Sequence, residues 1–133
     1  MSNPVIDEDG TKRWYNEACL YHREDGPAVE WSGSDGTKRW YLNGQLHRED
    51  GPAIEYLDDN KVWYLNGELH RVDGPAVVSP YHKGWWLNGQ RHREDGPAFE
   101  HTDGDKEWWL NGKEYTEEEF ALLQFMKGIN IYV

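Results

Sequence analysis

One heptapeptide pattern, His-Arg-x-Asp-Gly-Pro-Ala, occurs four times in this chain, beginning at His22, His47, His70 and His92. Successive copies are 25, 23 and 22 residues apart. A second pattern, Trp-aromatic-Leu-Asn-Gly, begins at Trp40, Trp63, Trp85 and Trp108, at steps of 22 or 23 residues. A degenerate forerunner, Trp14-Tyr15-Asn16-Glu17, lies 26 residues before Trp40. A period this short points to supersecondary units stacked on their neighbours. The Trp-to-His distance is 8 residues in the first unit and 7 in the next three, so the slack lies between Ala and the following Trp. There Ser32-Gly33-Ser34-Asp35-Gly36 and Asp58-Asp59-Asn60 read as turns.

Each unit reads as two strands. After Gly-Pro-Ala the residues alternate: Val29 and Trp31 share a face, as do Ile54 and Tyr56, while Glu30 and Glu55 take the other. The second strand, Lys38 to Leu42, runs into Asn43-Gly44, a strong hairpin signal because both residue types accept positive φ. Proline at the strand entrance fixes φ and removes a donor where the ladder has not yet begun. The fold class expected is all-β: an antiparallel hairpin meander of roughly nine or ten short strands, about 22–26 residues per hairpin, forming an elongated twisted sheet.

Residues 116–133 break the pattern. Thr116-Glu117-Glu118-Glu119 is a capping box with Thr116 as N-cap, and Tyr115 and Phe120 occupy hydrophobic-staple positions. A helix is expected from about Glu117 to Lys127, with Gly128 at C′, covering the last open sheet edge. Ile129 to Val133 alternates as a short terminal strand, an expected route to a homo-oligomer. The chain therefore reads as a single repeat domain over 1–133, with repeats over about 11–115.

Leu, Ile, Val and Phe make up only 24 of 133 residues, and the net charge is −11. Such figures ordinarily accompany disorder. Here 8 Trp and 8 Tyr restore the missing apolar area in large rigid units. The charge argues against a direct nucleic-acid binder and against an anionic membrane surface. No apolar run reaches the length of a membrane span. The first ten residues lack a signal pattern, and the one cysteine, Cys19, can form no internal disulfide. A cytoplasmic protein is the expectation.

The 23-residue spacing, the aromatic-x-x-Gly turns and one hairpin per unit resemble MORN-type repeats and their variants. The wording Trp-Tyr-Leu-Asn-Gly followed by His-Arg-Glu-Asp-Gly-Pro-Ala is similar to a divergent subgroup found in bacteriophage and large-virus proteins. The stretch from Leu110 to Phe120 resembles the closing segment of that subgroup. The resemblance implies a β-hairpin repeat fold, viral origin and action in the host cytoplasm. Ordinary units of the family carry Tyr-x-Gly where this chain has Trp-aromatic-Leu-Asn-Gly, and that difference, with the negative charge, argues against lipid contact.

His22, His47, His70 and His92, with Asp25, Asp50, Asp73 and Asp95, recur in every unit. A role needed four times is architectural: imidazole against a neighbouring aromatic, Arg paired with Asp, Asp accepting turn N–H groups. Two strands per unit would set successive histidines roughly 10 Å apart, too far to share one metal ion. No metal, cofactor or catalytic residue is assigned, and Cys19 with His22 lacks the third member of a triad. The second aromatic positions, Tyr41, Tyr64, Trp86 and Trp109, form a row opposite the leading tryptophans and are the expected binding surface. Arg39, Arg71, Arg91 and Arg93 are candidate anion contacts beside it. Asp103, Asp105, Glu107, Glu114, Glu117, Glu118 and Glu119 form an acidic stretch suited to docking a basic partner. The function expected is noncatalytic: binding, and inhibition or redirection, of a host defence protein. The alternatives are a sponge for an anionic signalling nucleotide and a self-assembling structural repeat.

Overall fold

The computed structural model describes residues 3–128. Seventeen short strands and one helix form among them, in one antiparallel hairpin meander closed by a C-terminal helix. The strands are β1 (Val5–Ile6), β2 (Lys12–Arg13), β3 (Val29–Glu30), β4 (Lys38–Arg39), β5 (Tyr41–Leu42), β6 (Gln45–Leu46), β7 (Ile54–Glu55), β8 (Lys61–Val62) and β9 (Tyr64–Leu65). They continue with β10 (Glu68–Leu69), β11 (Val77–Val78), β12 (His82–Gly84), β13 (Trp86–Leu87), β14 (Gln90–Arg91), β15 (Phe99–His101), β16 (Lys106–Leu110) and β17 (Lys113–Tyr115). Eleven build one long sheet in the order β1-β2-β3-β4-β7-β8-β11-β12-β15-β16-β17. At about 4.8 Å per strand it extends roughly 48 Å.

The two-strand unit expected from sequence is corrected to four strands, because the second strand breaks at its tryptophan. Trp40 N–H donates to Ala53 O in the long sheet (2.8 Å), while Trp40 O accepts from His47 N–H in its own hairpin (3.0 Å). The chain changes sheets at that residue, as strands do at the corners of folded sheets. Trp63 and Trp85 do the same with Ala76 and His70, and with Ala98 and His92. The alanines at these corners, Ala28, Ala53, Ala76 and Ala98, are completely buried.

The strands beyond each corner form a second row of hairpins, β5–β6, β9–β10 and β13–β14, flanked by the Tyr15–Tyr21 bridge and the β16–β17 end. Two backbone bonds tie each hairpin to the next: Arg48 N–H reaches Tyr64 O (3.1 Å) and Gly67 N–H reaches Leu46 O (2.9 Å), with counterparts in every unit. The Asn-Gly turns behave as their residue types require, with Asn66 at φ 50° and Gly67 at φ 80°.

Register gives the long sheet two chemically different faces. Lys12, Glu30, Lys38, Glu55, Lys61, Val78, Lys83, Glu100 and Lys106 follow one another along one face. Arg13, Val29, Arg39, Ile54, Val62, Val77, Gly84, Phe99 and Glu107 line the other. Val29 and Ile54 are buried there.

Helix α1 (Glu117–Gly128) packs on β16 and β17 at the end of the sheet, and buries Phe120 while leaving Leu122 and Phe125 exposed. Its capping box is formed: Glu119 N–H donates to Thr116 Oγ1 (3.1 Å) and Thr116 N–H to Glu119 Oε1 (2.9 Å). The expected C′ glycine, Gly128, is instead the last helical residue. The strand expected over 129–133 lies outside the described residues.

Candidate functional site

Each His-Arg-x-Asp-Gly-Pro loop builds the same cluster. The Arg48 guanidinium lies 3.9 Å from the Trp40 ring centroid. Its Nε donates to Asp50 Oδ1 (3.0 Å), and Nη1 donates to Pro52 O (3.1 Å) and to Glu55 Oε1 (3.0 Å). A Cβ on Gly51 would stand 3.0 Å from Arg48 Cζ, so the bare glycine leaves room for the guanidinium. Arg23, Arg71 and Arg93 sit 3.8–3.9 Å over Trp14, Trp63 and Trp85, with Asp25, Asp73 and Asp95 as their partners. The aspartates therefore orient arginines instead of holding turn N–H groups. The arginines, where the sequence suggested imidazoles, cover the tryptophans.

The histidines join one unit to the next. His47 Nδ1 accepts the N–H of Asn66 (2.9 Å), and His22, His70 and His92 accept those of Asn43, Asn88 and Asn111. An N–H donated to Nδ1 requires a lone pair there, which puts the neutral ring's proton on Nε2. Nε2 faces a glutamate in three units, His22–Glu24 (3.8 Å), His47–Glu49 (4.0 Å) and His92–Glu94 (3.8 Å). Among the described residues no three His, Cys, Asp or Glu side chains converge as metal ligands.

Between consecutive loops lie three equivalent grooves, of about 610, 730 and 650 Å³. Trp40 and Leu42 line the first with Arg23 and Arg48; Trp63 and Leu65, then Trp85 and Leu87, line the others.

The second-position aromatics gather on the opposite face. Tyr41, Tyr64, Trp86 and Trp109 are all half-buried, so this row is neither core nor fully open. Trp86 Nε1 stands 3.3 Å from the Cβ position of buried Gly84, and Trp109 Nε1 donates to Glu107 Oε1 (2.9 Å). Burial pushes the Tyr64 phenol up; Tyr56 adds to the shift, Arg39 opposes it and Tyr41 adds again. Trp31 and Tyr56, which sequence alternation placed with Val29 and Ile54, lie by this row: Arg39 reaches the Trp31 ring at 5.3 Å, and Tyr56 and Arg39 both act on the Tyr64 phenol.

Three of the four candidate anion-binding arginines are engaged internally. Arg71 and Arg93 belong to the stacked loop clusters, and Arg91 pairs with Glu107 (2.7 Å) between the rings of Trp86, Phe99 and Trp109. Arg39 differs. It lies 5.3 Å from the Trp31 ring, its Nε is buried without a hydrogen-bond partner, and no carboxylate pairs with it among the described residues.

The acidic stretch is not one surface. Glu107 is taken by Arg91, Asp103 pairs with His101 (2.9 Å), and Glu119 belongs to the capping box. The Asp103 carboxyl is held low by the Asp105 N–H and by His101. Asp105 precedes β16, while Glu114 pairs with Trp109 four residues along it, a separation of roughly 13 Å. Asp105, Glu114, Glu117 and Glu118 are left exposed, in two groups. Cys19 is also exposed, in a turn at φ 62°.

No protein-family model, curated protein or solved structure matches the chain. No helix among the described residues is long and apolar enough to cross a membrane.

Proposed function

We propose that the chain is a noncatalytic binding protein that engages another protein through the aromatic face of its sheet. One observation carries the reading: the polar side chains that recur in every unit are engaged in ties within and between units. That leaves the half-exposed rings of Tyr41, Tyr64, Trp86 and Trp109, with Trp31 and Tyr56, as the unassigned chemistry. Half-buried aromatics in a row suit protein recognition, since rigid rings lose little entropy on contact. The unit wording, similar to that of phage and large-virus proteins, makes a host defence protein the partner class we propose, met in the host cytoplasm. The exposed carboxylates at the C-terminal end would steer a basic partner. Tagged wild-type protein should retain one protein from bacterial lysate in stoichiometric amount. A Tyr41→Ala, Tyr64→Ala variant that still melts cooperatively should lose it. A wild-type protein that retains nothing, or a folded variant that retains the same protein, contradicts the reading.

Arg39 supports a second reading, a site for an anionic nucleotide stacked beside Trp31. A thermal-shift series with cyclic and linear nucleotides tests it. A shift that Arg39→Gln abolishes supports this reading, and no shift with any nucleotide rejects it.

A further inference from the structure

Over the nine residues from its histidine, His70 to Val78, the third unit lacks a carboxylate at two positions where the other three units carry one. Arg23, Arg48 and Arg93 each meet the glutamate seven residues on, at 3.6, 3.0 and 3.4 Å. Arg71 meets Val78 at that position of the sequence. In every other respect Arg71 is held like its counterparts, 3.9 Å over Trp63, 3.1 Å from Asp73 and 3.0 Å from Pro75 O. Its guanidinium is thus fixed by three contacts while its glutamate site is apolar.

Register places Val78 between Lys61 and Lys83 on the charged face. Lys38, by comparison, stands between Glu30 and Glu55. The two lysines flanking Val78 lie roughly 10 Å apart across two strand spacings. Each keeps one glutamate neighbour, Glu55 or Glu100, and lacks the other. The second departure is Val72, which stands where Glu24, Glu49 and Glu94 face their histidines, and which is 83% exposed. It lines the two grooves on either side of its loop. A single exposed valine is ordinary. Two carboxylate positions turned apolar in one unit, one between Lys61 and Lys83 and one next to Arg71 in the chain, interrupt the alternation of Lys and Glu along this face and leave three cations short of a carboxylate.

We infer that this third unit docks an acidic, extended segment of another protein. A carboxylate of that segment occupies the place that glutamate fills in the other units, bonded to Arg71 and flanked by Lys61 and Lys83. An adjoining apolar side chain rests on Val72. The arrangement needs no reorganisation, since Arg71 is already stacked and its side chain is 24% exposed. A long polyanion such as nucleic acid would meet the exposed loop carboxylates of the neighbouring units, Glu49, Asp50, Glu94 and Asp95, whereas a short acidic segment fits the gap.

The decisive variant is Val78→Glu, which restores an ion pair that three units of this fold already contain and so keeps the fold. The probe is an acetylated, amidated peptide of alternating Glu and Leu, titrated into the full chain by calorimetry. Wild-type protein should bind it, and Val78→Glu should weaken binding by about tenfold or more. The matching Gln-Leu peptide should not bind. Equal affinity for wild type and Val78→Glu, or no wild-type binding at millimolar peptide, overturns the inference. Inorganic phosphate binding with the same sensitivity to Val78→Glu, and displacing the peptide, would make this a small-anion site and overturn the protein-segment assignment. The Tyr41→Ala, Tyr64→Ala variant, altered on the opposite face, should bind the peptide unchanged, so this test fails independently of the aromatic-face reading.

Discussion

The guanidinium of Arg48 touches a tryptophan ring, an aspartate, a proline carbonyl and a glutamate at once. Only a planar group with several fixed donors can do this, so lysine is not a conservative replacement. Arg48→Lys is expected to destabilise by ~1–2 kcal/mol, read as a lower urea midpoint at unchanged slope. His47→Ala should cost about 1 kcal/mol, because Asn66 is exposed and water can accept part of its lost bond. Neither contact is legible in the sequence. Recurrence marks Arg and His as structural and Arg next to Asp suggests a pair. However, the ring under Arg48 lies eight residues back across a turn, and the donor to His47 lies in the next unit. Spacing along a chain does not report such partners until the register is known.

The elements that could be read in advance are those whose chemistry is local. Asn-Gly turns follow from positive φ, and the capping box from the reach of one side chain over three residues. The corner at each tryptophan could not be read, because Lys38 to Leu42 has the composition of one continuous strand and only non-local bonds to Ala53 and His47 divide it. Gly67→Ala tests the turn alone. A Cβ there meets nothing closer than 3.6 Å, so the expected loss of ~1–2 kcal/mol is conformational strain at φ 80°. At the helix, the Thr116 N–H and then its hydroxyl hold the Glu119 carboxyl below its ordinary value. The charged form is thus favoured in the folded state. Its stabilisation is complete above the ordinary carboxylate range and is lost as pH falls through the depressed folded value. Glu119→Gln should remove this part of the acid sensitivity, so the gap between wild-type and variant melting temperatures should narrow as pH is lowered. A constant gap would show that the carboxylate plays no such part.

Across the whole molecule, each unit bonds chiefly to its neighbours, through two backbone bonds, one histidine acceptor and one pair of long-sheet strands. Stability should then approximate a sum over units and interfaces. Deleting residues 48–70 joins His47 to Arg71 and removes one 23-residue period without disturbing the rest. The shortened chain is expected to give the same circular dichroism shape per residue and a lower melting temperature; an unfolded product would contradict nearest-neighbour stacking. This nearest-neighbour stability rests on the recurring polar motif, which ties units together. Imidazole ¹⁵N resonances report it directly, since a bare Nδ1 and a protonated Nε2 differ widely in shift. At neutral pH, His22, His47, His70 and His92 should all show the Nε2–H tautomer, with coupling from Nδ1 to the amide protons of Asn43, Asn66, Asn88 and Asn111. Four rings averaging between tautomers, with no coupling to those amides, would contradict it.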